Sequence, residues 1–188
     1  MTATGSFKRF RVLDLIVILI SAGLFWLVSF AATSAFAPQT SYIASLLAAS
    51  ILVGLTANII GKTGSAILFY LAVSLLAFRI NDIGATGIDK VITLFIAGMV
   101  FEIIFLIFKV EIGGIQLDII AATALSVASI PITASLLLSV AVTASNIYTV
   151  TNLVLLAFFM GVLGAVASSL IWSRIKHSRF LLKFFIYI

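Results

Sequence analysis

Leu13-Asp-Leu-Ile-Val-Ile-Leu-Ile-Ser-Ala-Gly-Leu-Phe-Trp-Leu-Val-Ser-Phe-Ala-Ala-Thr-Ser-Ala-Phe36 carries a single charged residue, Asp14, in a stretch long enough to cross a bilayer. A hydrocarbon core of about 30 Å takes about 20 helical residues. The run is continuously apolar, without the alternation of a barrel strand. In lipid every backbone N–H and C=O must be bonded internally, so a run of this kind predicts a helix. Lys8, Arg9 and Arg11 precede it, as in a secretory signal, but it is longer than a signal core and reads as a retained span.

The same pattern recurs along the chain. Short polar or Gly/Pro-bearing breaks divide it into spans at about 14–36, 42–60, 65–80, 89–109, 118–144 and 150–173. With 63% hydrophobic and 9% charged residues, the 188-residue sequence lacks the polar shell of a soluble domain. The expected fold is an all-α integral membrane protein, a six-transmembrane-helix bundle forming one domain over residues 1–188.

Charge placement predicts its orientation. Lys8, Arg9, Arg11, Lys62, Lys109, Arg174, Lys176, Arg179 and Lys183 flank the spans on one side, while Arg79 and Lys90 fall on the other. The positive-inside rule makes the basic side cytoplasmic and puts both termini there. The net charge of +5 therefore reports topology in a multi-pass protein of the cell membrane, and not nucleic-acid binding. The third span is short. The fifth, containing Pro131, is longer than a bilayer needs and is expected to tilt or kink.

Glu102, well inside the fourth span, is the most informative residue. Insertion of a charged residue at a helix centre costs about 2.5–3.5 kcal/mol, so it faces a cavity or a partner; the alternative is a carboxyl satisfied among helices. Trp26 lies near the middle of the first span, where its indole N–H needs a partner or its ring could stack on a ligand. Tyr148 and Asn152 lie toward the outer mouth in the predicted topology; Asn58, Asn146 and Asn152 can also satisfy backbone near span ends. Trp172, beside Arg174, reads as an interfacial anchor. Ala31 and Ala35, Ala44 and Ala48, and Gly161, Ala165 and Ser169 repeat at four-residue spacing, giving faces for close helix packing within the chain or against a partner.

Several chemistries lack material. The sequence has no cysteine, and its one histidine, His177, lies in the basic tail, so no thiolate or histidine metal site and no catalytic triad is expected. Gly61-Lys62-Thr63-Gly64 lacks the earlier glycine of a phosphate-binding loop, position 56 being Thr. Asp82, Asp89, Glu111 and Asp118 read as solvated groups in loops or at helix ends. No enzyme activity and no cofactor are expected.

Two segments carry a resemblance. Ile60-Gly-Lys-Thr-Gly-Ser-Ala-Ile67 looks like the Lys-Pro-Gly-Ala-Ala stretch, and Ala97-Gly-Met-Val-Phe-Glu-Ile-Ile-Phe105 like the Gln-Gly-x-x-x-Glu-x-x-Phe stretch, of the thiamine/hydroxymethylpyrimidine branch of the S-components of energy-coupling factor (ECF) vitamin transporters. Phe158-Phe-Met-Gly-Val-Leu-Gly164, leading into Arg174 and Lys176, resembles the family's glycine-bearing last helix. Thr63 stands in place of the branch's proline and Ala97 in place of its glutamine. The resemblance implies a small-molecule vitamin substrate, a ligand-side role for Glu102, and partners in the form of a transmembrane coupling protein and two cytoplasmic ATPases. A non-catalytic structural subunit of a larger complex, and a small channel or proton-coupled carrier using Glu102, are the other readings of the residues.

Overall fold

The computed structural model describes residues 10–108, 110–112, 115–138 and 144–175. Lys8, Arg9, Lys109, Lys176, His177, Arg179 and Lys183 lie outside the described residues, as does the side chain of Asn146. Among the described residues six helices follow one another: α1 (Val12–Ala35), α2 (Pro38–Ile60), α3 (Ser65–Leu76), α4 (Gly87–Ile107), α5 (Leu117–Leu137) and α6 (Ala144–Ile175). A hairpin of two short antiparallel strands, β1 (Glu111–Ile112) and β2 (Ile115–Gln116), joins α4 to α5. All helices except α3 are long and apolar enough to cross a membrane, and the chain is a multi-pass membrane protein.

The helix ends follow from local chemistry. Asp14 Oδ2 accepts the backbone N–H of Arg11 at 2.7 Å and satisfies one of the orphan donors at the start of α1. Pro38 opens α2 where its missing N–H removes no helical bond, and Gly61, at φ +59°, closes it in the left-handed conformation that glycine adopts without strain. The third helix ends at Leu76 and the fifth at Leu137, so both are shorter than their hydrophobic runs, 65–80 and 118–144. Apolar composition persists beyond each helix end, which is why hydrophobicity alone extends them. The longest helix is instead α6, with 32 residues.

Packing arranges the helices as a closed ring in the order α1, α2, α6, α5, α4, α3, with α2 also touching α5 and α3 across it. Small residues bring the backbones together. A side chain at Gly161 would place its first carbon 2.7 Å from Ala124 Cα on α5, and one at Gly98 of α4 would lie 2.9 Å from Ile67 Cα on α3. Hydroxyls tie the helices further: Ser126 Oγ on α5 lies 2.8 Å from the Ala97 carbonyl of α4 and 3.0 Å from the Tyr70 hydroxyl of α3. Ser50 of α2 donates to the Met160 carbonyl of α6 at 3.1 Å.

Candidate functional site

The unusual element is α3. Its 12 residues rise about 18 Å at 1.5 Å per residue, against a hydrocarbon core of about 30 Å. Its first turn leaves N–H groups and its last turn leaves C=O groups without partners inside the helix. Both ends are supplied from α4, which runs back alongside it.

At the start of α3, Glu102 Oε1 accepts the backbone N–H of Ala66 at 2.9 Å, with the N–H groups of Gly64 and Ile67 also facing the carboxyl group. Only 5% of Glu102 is exposed. Gly98, one turn earlier on the same face of α4, admits the Ile67 backbone and so sets the distance at which Glu102 can reach. A carboxylate here also meets the positive pole of the helix dipole. Gly64, at φ +94°, turns the chain into α3. Its neighbour Lys62 pairs with Asp14 at the start of α1 and lies 5.9 Å from the centre of the Phe10 ring. Gly61-Lys62-Thr63-Gly64 is thus a tight turn between two helices, tied to a third.

At the other end, Lys90 Nζ donates to the carbonyls of Ala77 and Ile80, each at 2.9 Å, and to Asp82 Oδ1. Ala77 is the residue that caps α3. Both side chains are enclosed, Lys90 with 0% and Asp82 with 1% exposed. Loop 77–86 wraps this pair, helped by Gly84 and Gly87 at φ +79° and +62° and by the Gly87 N–H bonded to the Phe78 carbonyl at 2.9 Å. Asp82 is consequently not the solvated carboxylate expected from the sequence, and Lys90, near the start of α4, is enclosed with it. Their spacing of eight residues across a turn-rich segment gave no sign of a buried pair.

Glu102 and Lys90 are separated by 12 residues of α4, about 18 Å, the same rise as α3 itself. Thus α4 delivers a negative group to the positive pole of α3 and a positive group to its negative pole. Each carboxylate keeps one enclosed oxygen, Glu102 Oε2 and Asp82 Oδ2, that has no hydrogen-bond partner among the described residues. Thr93, one turn beyond Lys90, also has a buried hydroxyl without a partner.

Comparison of the chain with protein-family models, curated proteins and solved structures gives no match. The residues themselves must carry the reading.

The other residues singled out from the sequence lie elsewhere. Trp26 is 37% exposed on α1 and stacks on Phe30 with ring centres 5.8 Å apart. Tyr148, 72% exposed, and Asn152, also exposed, sit on α6. Glu102 is on α4, which packs chiefly against α3 and α5, whereas Trp26 is on α1 and Tyr148 and Asn152 are on α6. Ala31 and Ala35 are exposed on α1, whereas Gly161 and Ala165 are buried inside the bundle and serve its own packing. Asn58 donates to the Gly54 carbonyl of its own helix at 2.7 Å, and Trp172 is half-buried.

Proposed function

We propose that the chain is the membrane-embedded substrate-capture subunit, of the ECF S-component type, of an importer for a small water-soluble vitamin or precursor, with thiamine-related compounds first in line. One observation carries this reading: segments 60–67 and 97–105, which hold the sequence resemblance, meet through the Ala66 N–H and Glu102 Oε1. The glycine-to-glutamate spacing of the second segment then has a physical purpose, since Gly98 admits the first turn of α3 and Glu102 caps it. A short helix with its ends held at membrane depth is also the construction that membrane transport proteins use around solute sites.

In this reading all six helices cross the plasma membrane or fill its depth, and both termini are cytoplasmic, as the basic residues favour. Glu102 then holds the inner end of α3, and the Asp82–Lys90 end faces outward, where the solute arrives. The unpartnered Glu102 oxygen supplies an acceptor for an N–H group of a solute. A transmembrane coupling protein and two cytoplasmic ATPases, which the resemblance implies, provide the energy in this reading.

The test is a thermal-shift screen of the purified protein against a vitamin panel that includes thiamine and hydroxymethylpyrimidine. A ligand at 100 times its Kd stabilises the folded state by about 2.7 kcal/mol. The expected result is one saturable hit. A panel with no hit, on protein that melts cooperatively, would contradict the reading.

A non-catalytic structural subunit is the second reading, favoured by the exposure of Ala31 and Ala35, one turn apart on α1. Purification from native membranes separates the two, because a structural subunit brings down a large membrane partner without ATPases.

A further inference from the structure

Three oxygens converge on Lys90 Nζ, one for each of its N–H donors: the Ala77 carbonyl at the end of α3, the Ile80 carbonyl in the following loop, and Asp82 Oδ1. The group is wholly enclosed. Two main-chain carbonyls at the negative pole of a short intramembrane helix, joined by one carboxylate, make a donor set suited to a hard monovalent cation. Unwound carbonyls and half-helix C-terminal ends hold such ions in membrane carriers. The site also contains more oxygen than an ammonium can use, because Asp82 Oδ2 is enclosed and has no partner among the described residues. An ammonium makes three directed bonds, whereas an alkali cation accepts further oxygens without directional demand.

We propose that the oxygens of Ala77, Ile80 and Asp82 form a monovalent-cation site whose occupant is the chain's own Lys90 ammonium. Lys90 is a tethered cation. It neutralises Asp82 and the carbonyl end of α3 permanently, so the fold of loop 77–86 needs no sodium or potassium from solution. The inference stands on this geometry and is independent of the cargo.

Removing the tether while keeping the oxygens uncovers the site. Lys90→Ala deletes the ammonium and its stem, leaving space and a net negative charge. Its melting is compared with that of the wild type and of Asp82→Asn/Lys90→Ala in sodium, potassium, ammonium, methylammonium and N-methylglucamine chlorides at constant ionic strength. The expected result is that Lys90→Ala melts several degrees below wild type in N-methylglucamine and regains much of the loss, saturably, in at least one small cation. The wild type and the double variant, which lacks the charge on Asp82, should not respond.

A Lys90→Ala protein indifferent to all the small cations would overturn the proposal. So would an equal response in the double variant or in the wild type, which would place the cation effect elsewhere. If Lys90→Ala cannot be isolated folded in any of these salts, a free cation cannot take the place of the ammonium, and the proposal fails on that ground as well.

Discussion

Glu102 Oε1 and the backbone N–H of Ala66 are 2.9 Å apart, 36 residues distant in sequence and on adjacent antiparallel helices. This bond explains an intramembrane carboxylate by the needs of a helix end. It also separates two substitutions that differ little in size. Glu102→Gln keeps a carbonyl oxygen for Ala66 and loses charge alone, so its cost should be about 1 kcal/mol, in the range of a helix-dipole interaction. Glu102→Leu leaves buried N–H groups unsatisfied, and its cost should be about 2–3 kcal/mol. At about 2–4 °C per kcal/mol for a chain of this size, melting curves resolve the two; equal losses would remove the capping role.

The glycines of the interior should be far less tolerant than the alanines of the exterior. Gly161→Leu and Gly98→Leu would drive side chains into the backbones of Ala124 and Ile67, with a loss of about 1–3 kcal/mol or more from overpacking. Ala31→Leu and Ala35→Leu point away from the bundle and should leave the melting temperature within about 2 °C, since surface changes stay near 0.5 kcal/mol. A partner bound along α1 would be displaced by these same two changes, which a copurification assay reads directly.

The two lysine–aspartate pairs should differ sharply. Lys62 and Asp14 keep contact with solvent, so Lys62→Met should cost about 0–1 kcal/mol, with the effect reduced by salt. Lys90→Met leaves Asp82 charged and enclosed, and should cost about 3–5 kcal/mol. Melting of both variants at low and high salt checks the contrast; a Lys90→Met protein as stable as wild type would mean that the pair is not buried.

Trp26 should lie against lipid acyl chains. In the Trp172→Phe variant, which leaves Trp26 as the only tryptophan, fluorescence should be quenched more by lipids brominated deep in the chain than by lipids brominated near the headgroup. The opposite order would move Trp26 to the interface, and no quenching at any depth would place it inside the protein.

Much of this fold was legible in the sequence because its strongest signal, continuous apolar runs about 20 residues long, is set by bilayer thickness. Glu102 was legible for the same reason, as a charge where charge is costly. Which face of each helix turns inward was not. Lipid tails and protein core are equally apolar, so Leu24 on the surface and Phe25 in the core cannot be told apart by hydrophobicity. The same ambiguity left open whether Gly161 and Ala165 pack within the chain or against a partner, and hid the outward position of Trp26. Asp82 was read as a solvated group because its pairing with Lys90 depends on how Gly84 and Gly87 fold the chain back over the end of α3. The signal that could have revealed them is the length of α3: a helix too short for the membrane needs charged or polar groups at both ends, and the sequence offers few.

The central claim is that α4 holds α3 at its ends, and hydrogen–deuterium exchange of the purified protein tests it most directly. Amide exchange is compared between wild type and Glu102→Ala, peptide by peptide. The account predicts faster exchange confined to the first turn of α3, around Ala66 and Ile67, with α2, α5 and α6 unchanged. Exchange in that turn equal to wild type, in a variant whose other helices remain protected, would contradict it.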